Sequence, residues 1–476
     1  MPENTIVLEG VLQPDQEKTY VHLPFEVPAQ AERIDVALRY DARIGSNPLL
    51  MGGNTIDLGI FDPGGIDFLS AAPEENHLGC LMRFRGWSGS KRDSFTITPG
   101  EATPGYLAGP LPAGRWHVLL GLYKIAPQGC RYCVSIQIQT RPGVEGQPLN
   151  LPLVSAGDLP GSPPAASFAP WLRGELHCHT WHSDGDNSAA NLVALARRRG
   201  LDFLAVTDHN NISQQRELEQ VSDPGLILIR GMEVTTYKGH FNVWGIADWV
   251  DFRVQSPQDM QAALRFAAER GGLTSVGHPK PFGPDWDYPE VTNHHCVEVW
   301  NGPWTLLNQI ALDYWSNLIA SGRQVPEVGG SDYHVQDQQP ERNLGIPTTW
   351  AYVPGTPKTV DAAAILRAVR AGHVSLSDAP DGPFLDLRAG FDYAVMAGDR
   401  ISPVPPGKLS AQVRCLHGAG CHLALIDQQG SLFDRVLSQE DQLVQVDLFP
   451  GKSRFIKAEL RATDERLRAM TNPIYF

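Results

Sequence analysis

The 476-residue sequence predicts an α/β chain: a barrel of strand–helix repeats, with β structure before and after it. Three observations carry this. Apolar residues alternate with period two near both ends of the chain. Strand-like and helix-like runs alternate between 171 and 378. The 46 Gly and 38 Pro impose many short connections. At roughly 150 residues per domain, the length implies two to four domains.

The first element is an N-terminal β-sandwich over 1–145. Ile34, Val36, Leu38 and Tyr40 alternate with polar neighbours, as do Val134, Ile136 and Ile138. Asp62-Pro63-Gly64-Gly65 and Pro112-Ala113-Gly114 mark turns between them. Residues 146–170 form a linker rich in Pro, Gly, Ser and Ala, with Pro160-Gly161-Ser162-Pro163-Pro164 at its centre.

The barrel segment is 171–378. Its seven strand candidates are Glu175–His179, Phe203–Thr207, Leu226–Arg230, Phe241–Ile246, Leu273–Gly277, Val297–Trp300 and Pro326–Gly329. Asp186-Asn187-Ser188 caps one helix, Ser256-Pro257 opens another, and a third covers Leu306–Ala320. Such alternation argues a parallel sheet, most simply closed into a barrel. Residues 379–476 return to β as a second small sheet or sandwich: Val444, Val446 and Leu448 alternate with polar residues, then Ile456, Ala458 and Leu460.

Composition excludes several functions. Fifty-three acidic against 39 basic residues give a net charge of −14, and no Lys/Arg cluster forms a nucleic-acid footprint. No run of 18 apolar residues exists to span a membrane, and no signal-like segment follows Met1. Cys130 and Cys133 form a lone CxxC without a second pair, so the seven cysteines read as reduced thiols of a cytoplasmic protein. A small-molecule substrate is the expected partner; a homo-oligomer is left open.

Chemistry concentrates at the strand ends. His177 and His179 stand two apart on one strand, so both rings face one side while Cys178 packs on the other. Asp184 follows in a short loop. Asp208-His209 closes the second strand, Glu233 follows the third, His278 the fifth, and Asp332 and His334 the seventh. Ligands at one barrel mouth belong to an active site. One histidine after a strand is commonplace; five strand ends all offering His, Asp or Glu are not. Nitrogen and carboxylate donors without thiolate suit Zn, Mn or Fe, and their number implies two or three divalent ions with a bridging carboxylate.

The ordered motifs His177-Cys-His179-Thr180, Ser183-Asp184-Gly185, Thr207-Asp208-His209, Gly231-Met232-Glu233, Gly277-His278-Pro279 and Gly330-Ser331-Asp332-Tyr333-His334 resemble the polymerase-and-histidinol-phosphatase (PHP) superfamily. Gly239-His240 through Gly245, Glu298 through Gly302, Gly86-Trp87-Ser88-Gly89, Ala102 through Tyr106 and Thr471 through Phe476 are similar to its carbaryl hydrolase (CehA/McbA-type) branch. The resemblance implies a distorted seven-stranded (β/α) barrel with a trinuclear centre. It implies one ion on His177, His179, Glu233 and Asp332. A second would share Glu233 and add His240 and His278, and a third would take Asp184, His209 and His334. Asp208 would orient a metal-bound imidazole. His182 competes for the third site, and His294-His295 match no motif.

The implied enzyme is a hydrolase attacking with a hydroxide made from metal-bound water, with Glu233, Asp208 and Lys280 at its catalytic centre. Phosphoesters, mono- or diester, are the first substrate class, with Lys280 and then Lys238 as the phosphate-facing cations. Carbamates or carboxylic esters are the second, because Trp181, Trp244, Trp300 and Trp304 lie where an aromatic pocket would form. A non-catalytic, metal-stabilised binding module is the third, and the intact ligand set argues against it.

Overall fold

A computed structural model describes residues 5–69, 83–140, 170–221, 225–281, 285–335, 342–355, 360–403 and 407–476. The expected linker up to residue 169 lies outside them.

Residues 5–140 form two four-stranded antiparallel sheets. The strands are β1 (Thr5–Leu12), β2 (Tyr20–Val27), β3 (Ala31–Tyr40), β4 (Thr55–Phe61), β5 (Phe84–Gly89), β6 (Ser94–Ile97), β7 (Gly114–Lys124) and β8 (Cys130–Thr140). One sheet runs β1-β8-β3-β6 and the other β2-β7-β4-β5. Ile34, Val36, Val134 and Ile136 of the first share one core with Leu58, Ile60, Trp116 and Val118 of the second. The period-two residues thus face inward. Among the described residues of this part the helical content is one 3-10 turn, Pro14–Gln16. The second sheet is covered on its outer side too. Phe61, Phe84, Trp87 and Leu119 join the core of the central part, which explains the unbroken Val118-Leu119-Leu120 run on β7.

The central strands are β9 (Trp171–Glu175), β10 (Phe203–Val206), β11 (Ile227–Thr236), β12 (Gly239–Trp244), β13 (Leu273–Gly277), β14 (Cys296–Asn301), β15 (Glu327–Gly330), β16 (Thr348–Tyr352) and β17 (Val374–Ser377). The helices are α1 (Ala189–Arg198), α2 (Gln214–Gln220), α3 (Pro257–Glu269), α4 (Asn308–Ala320) and α5 (Ala362–Ala371). Ser188 caps α1 by accepting from Asn191 N, and Ser256 caps α3 by accepting from Asp259 N. Among the described residues no helix is long and apolar enough to cross a membrane.

Six of the seven expected strands form, and the first lies earlier, at Trp171–Glu175 rather than Glu175–His179; the sheet is not parallel throughout. β9, β10 and β11 run parallel, as do β13, β14 and β15. β12 is antiparallel to both β11 and β13. Tyr237 and Lys238 alone separate β11 from β12, and so short a connection can only reverse the chain. The first strand also ends earlier than expected. It stops at Glu175, and His177 and His179 lie just beyond it, bonded to the segment after β15: Asp332 N donates to His177 O at 2.8 Å and His179 N to Tyr333 O at 2.9 Å. The sheet therefore curls until its two flanks meet at these residues.

The remaining strands are β18 (Phe384–Ala389), β19 (Val395–Met396), β20 (Leu409–Leu416), β21 (His422–Asp427), β22 (Gly430–Val436), β23 (Gln442–Leu448), β24 (Phe455–Arg461), β25 (Leu467–Thr471) and β26 (Ile474–Tyr475). β19-β18-β20-β23 form a separate sheet, but β25, β24, β21 and β22 continue the central sheet from β17. The second small sheet expected here thus shares one of its two layers with the central part. Leu387, Val413, Leu423, Leu425 and Leu460 fill the core between the layers. Cys415 and Cys421 are free thiols.

Candidate metal centre

The reversal at Tyr237-Lys238 builds the centre. It extends β11 so that Glu233 lies inside a hairpin rather than on a loop, with His240 on the returning strand. Glu233 Oε1 is 2.9 Å from His240 Nδ1, 3.3 Å from His278 Nε2 and 3.5 Å from His177 Nε2. Glu233 Oε2 is 2.6 Å from His209 Nδ1 and 3.8 Å from His179 Nε2. One carboxylate thus touches or faces five imidazoles.

Two tight approaches depend on glycine. A Cβ on Gly330 would stand 2.4 Å from His177 Cβ, and one on Gly185 would stand 2.6 Å from His179 O. Beyond Gly330, Asp332 takes φ 51°, which turns its carboxylate inward: Oδ1 is 2.9 Å from His179 Nε2 and 3.4 Å from His177 Nε2. Asp184 Oδ1 lies 3.2 Å from His334 Nε2 and 3.4 Å from His209 Nε2.

All nine residues singled out as ligands come together. Their donor atoms fall into four overlapping groups, each within 4.8 Å: His179, Asp184, His209 and His334; His177, His179 and Glu233; His177, His278 and Asp332; Glu233, His240 and His278.

The hydrogen bonds around the centre show that these donors fit a divalent cation. His334 Nδ1 is 2.8 Å from the Asp332 carbonyl oxygen, an acceptor only, so its proton sits there. His209 Nδ1 is held by Glu233 and Thr235. The Nε2 lone pairs of both rings then face Asp184 Oδ1 and each other, 3.5 Å apart. Asp184 Oδ1 and His177 Nε2 are buried with no hydrogen-bond partner among the described residues. Lone pairs and an anion converging on one point call for positive charge there. Without a cation, protons supply it. Burial opposes a charge on His209 and His334, but the carboxylates around them outweigh it and raise them to about 9 and about 10. Burial would push Glu233 and Asp332 up, yet the surrounding imidazoles hold both well below the usual carboxylate range.

Other expected residues serve differently. Asp208 touches no imidazole among its described bonds. It accepts from Thr180 N, Thr180 Oγ1 and Ser183 Oγ at 2.8, 2.7 and 2.6 Å, pinning the 180–183 loop. The role expected of it falls to Glu298, whose Oε1 is 2.9 Å from His177 Nδ1 and whose Oε2 accepts from His278 N. Lys280 is buried, its Nζ donating to Asn301 O at 2.7 Å and Asn308 Oδ1 at 2.8 Å. It ties the segment after β13 to α4 and presents no free ammonium to a phosphate. Both nitrogens of His182 are taken, by Ser213 Oγ and Glu217 Oε2. Trp244 and Trp300 belong to the core, Trp304 packs on it, and Trp181 is exposed.

The roles of two residues went unread in the sequence. Glu298 was read only as the start of the Glu298–Gly302 motif, with no role at the centre assigned to it. Glu175, at the end of β9, accepts from His177 N, Ser331 N and Gly345 N at 2.9, 3.0 and 2.8 Å. It fastens the two flanks where the sheet meets itself.

The centre opens into a cavity of about 730 Å³. Asp184, His209 and His240 form one side. The N-terminal sheets supply the other, with Tyr20, Asp57, Trp87 and Tyr123, and Arg43 and Lys91 also line it. The aromatic wall expected from strand-end tryptophans therefore comes from residues 20–123 instead. Arg92 locks this wall in place, donating to Ser183 O at 3.0 Å and Trp181 O at 2.5 Å.

Residues 175–320 match a PHP domain. The PHP segment carries His177, His179, Asp184, His209, Glu233, His240 and His278, while Asp332 and His334 lie beyond it. Over 63 residues the chain is 40% identical to a 5'-3' exoribonuclease of Haemophilus influenzae; the aligned stretch is 13% of this chain and 23% of that protein, so the chain spans under a quarter of that relative. It is 23% identical over 120 residues to an uncharacterized protein of Methanocaldococcus jannaschii, covering 23% of this chain and 68% of that one. The similar solved structures include two. One, from Bacteroides vulgatus, is a two-domain protein containing a predicted PHP-like metal-dependent phosphoesterase, with 18% identity, 64% of this chain and 95% of that chain covered, and a TM-score of 0.37. The other is an amidohydrolase of Chromobacterium violaceum with bound sulfate and no metal, with 14% identity, 42% and 96% covered, and a TM-score of 0.26.

Proposed function

We propose that this chain is a divalent-metal-dependent hydrolase acting on phosphoesters. The carrying observation is the nine-residue donor set, seven of its members within the PHP segment, gathered around Glu233 at the foot of a cavity. Its curled seven-strand run is read as a PHP barrel, and its donors as sites for two or three ions. Cations bound there supply Lewis acidity and lower the pKa of a bound water toward neutrality.

The chain's own residues do the rest. Glu233 offers one oxygen to the His240–His278 side and the other to the His209 side, as a bridging carboxylate would. Glu298 fixes the His177 ring with Nε2 toward the centre. The shared stretch with an exoribonuclease supports phosphoesters, as do Arg43 and Lys91 along the cavity. A second reading, carbamate or carboxylic-ester hydrolysis of the carbaryl hydrolase kind, is favoured by the tyrosines and Trp87 of the opposite wall.

The test is a chelator-controlled screen of metal-reconstituted protein against phosphomonoesters, phosphodiesters and aryl carbamates. Chelator-sensitive turnover of a phosphoester supports the first reading, and turnover of carbamates alone supports the second. No turnover of any would leave the metal-stabilised binding module.

A further inference from the structure

The cavity wall opposite the metal centre contains a carboxyl group that pairs with no cation among the described residues. Asp57, on β4 of the N-terminal sheets, is 9% exposed. Its Oδ2 accepts from the Tyr237 hydroxyl at 2.9 Å. Tyr237 belongs to the turn joining β11 to β12, between Glu233 and His240. The pair therefore joins the N-terminal part to the hairpin that carries two of the proposed ligands.

The surroundings are shaped to hold it. Tyr237 is stacked between Tyr20, at 5.3 Å and 16°, and Tyr123, at 5.8 Å and 23°. β7 is bare where the hydroxyl arrives: a Cβ on Gly121 would stand 2.4 Å from the Tyr237 oxygen and 2.6 Å from the Trp87 ring. A stacked tyrosine needs only a carbonyl to satisfy its hydroxyl. Here a buried acid meets it instead, and burying an acid without a cation is costly.

Hydrolysis needs a proton for the departing oxygen. The nine donors are poor sources once they hold cations, because an imidazole then gives its lone pair and a carboxylate is ionised. Tyr20, Tyr123 and Tyr237 also line the cavity, but burial pushes all three phenols up, with Asp57 adding to each. The groups acting on Asp57 are Tyr237, through its hydrogen bond, and His209 on the metal side; Asp57 in turn acts on Tyr20, Tyr40 and Tyr123. Burial raises its carboxyl to about 7, against the Tyr237 hydrogen bond and the His209 imidazole, which both lower it. Such an acid suits proton donation near neutral pH.

We propose that Asp57, held by Tyr237, protonates the leaving group; this rests on the hydrolase reading above. As the bond from phosphorus or carbonyl carbon to the leaving oxygen breaks, its electron pair passes to that oxygen, which takes the proton from Oδ1. Asp57 is left as a carboxylate and regains a proton from water. The N-terminal sheets are then part of the active site.

The experiment uses the full, metal-reconstituted chain and two esters of whichever group the wild type hydrolyses: a 4-nitrophenyl ester, whose leaving group needs no proton, and an alkyl ester, whose leaving group does. Asp57→Asn should lower kcat/KM for the alkyl ester by about 10²–10⁴-fold and for the nitrophenyl ester by less than about tenfold, with metal content unchanged and the basic limb of the alkyl-ester pH profile lost. Tyr237→Phe should move that limb to higher pH, since it removes a hydrogen bond that lowers Asp57. Equal losses on both esters, or an unaltered basic limb, overturn the proposal while the hydrolase reading stands. A wild type that hydrolyses neither ester overturns both.

Discussion

Two clusters of buried charge lie at opposite ends of the four-residue strand β15, and they are neutralised in different ways. At its start, Glu459 is flanked by Lys457 and by Arg461, whose NH2 is 2.7 Å away. Both partners are side chains of the protein itself. Nearby, burial raises Glu327 to about 8, so it stays uncharged at neutral pH although neither carboxyl oxygen has a hydrogen-bond partner among the described residues. Beyond the end of β15, Asp332, Glu233 and Asp184 pair among the described residues with imidazoles, while Lys280 and Arg92 act on Asp332 and Asp184 from farther off. Buried charge alone does not mark a binding site. What marks it is a cluster of anions with no fixed cation paired directly to it among the described residues, where compensating charge has to be brought in.

Four measurements would break or sharpen that contrast. The largest effect is expected at Glu233. Glu233→Gln removes the one anion shared by the whole centre, so cations held nearby lose what offsets their mutual repulsion. We expect loss of at least one ion by elemental analysis and a fall in turnover of about 10³-fold or more, with the circular dichroism of the wild type retained. Full metal and wild-type rate would remove Glu233 as the bridge.

At the other cluster the same substitution should act on stability alone. Glu459→Gln leaves Lys457 buried without its carboxylate, at a cost of about 3 kcal/mol or more, read from denaturant unfolding. Metal content should not change; if it did, the two ends of β15 would not be independent.

Lys280→Met is next in size. It removes two buried hydrogen bonds and leaves Asn301 O and Asn308 Oδ1 short of a donor, at about 1–3 kcal/mol. Metal content and substrate preference should stay as they are. A selective loss of phosphoester turnover would return Lys280 to the substrate.

The last measurement is one of pH and needs no substitution. His209 and His334 keep protons at neutral pH in the metal-free protein, because their pKa values are raised to about 9 and about 10 by carboxylates that outweigh burial. A cation must displace those protons. Apparent metal affinity should therefore rise with pH between 6 and 9, by about tenfold per unit for each proton released. Affinity independent of pH in titrations with Zn²⁺ or Mn²⁺ would mean that the ligands are already free of protons.

The sequence was most legible where one residue does one local job. The Ser188 and Ser256 caps, the alternation on β3 and β8, and the nine donors at strand ends are each set by neighbours in the chain. It was less legible where a choice depends on distant partners. Lys280 follows His278-Pro279 and looked exposed to substrate, but Asn301 and Asn308 turn it inward. Asp208 adjoins a donor, yet its carboxylate serves Thr180 and Ser183, while Glu298, 121 residues from His177, does the orienting. The antiparallel β12 was readable in principle, since Leu226–Arg230 and Phe241–Ile246 stand too close for a crossover helix. The aromatic wall was not. Nothing in the local pattern of Tyr20 or Tyr123 says that they will stack on a tyrosine more than a hundred residues away.

The continuation of the central sheet into β25 bears on how the chain is made. β17 is paired on one side by β16 and on the other by residues 467–471. While the chain emerges from the ribosome, every earlier strand can find its neighbours, but β17 keeps a bare row of amide and carbonyl groups until residues 467–471 have been synthesised. Such an edge pairs readily with other chains. A nascent or prematurely stopped chain lacking residues 467–471 would therefore expose an adhesive strand next to the assembled donor set. The pairing of β25 therefore covers an adhesive edge as well as extending the sheet.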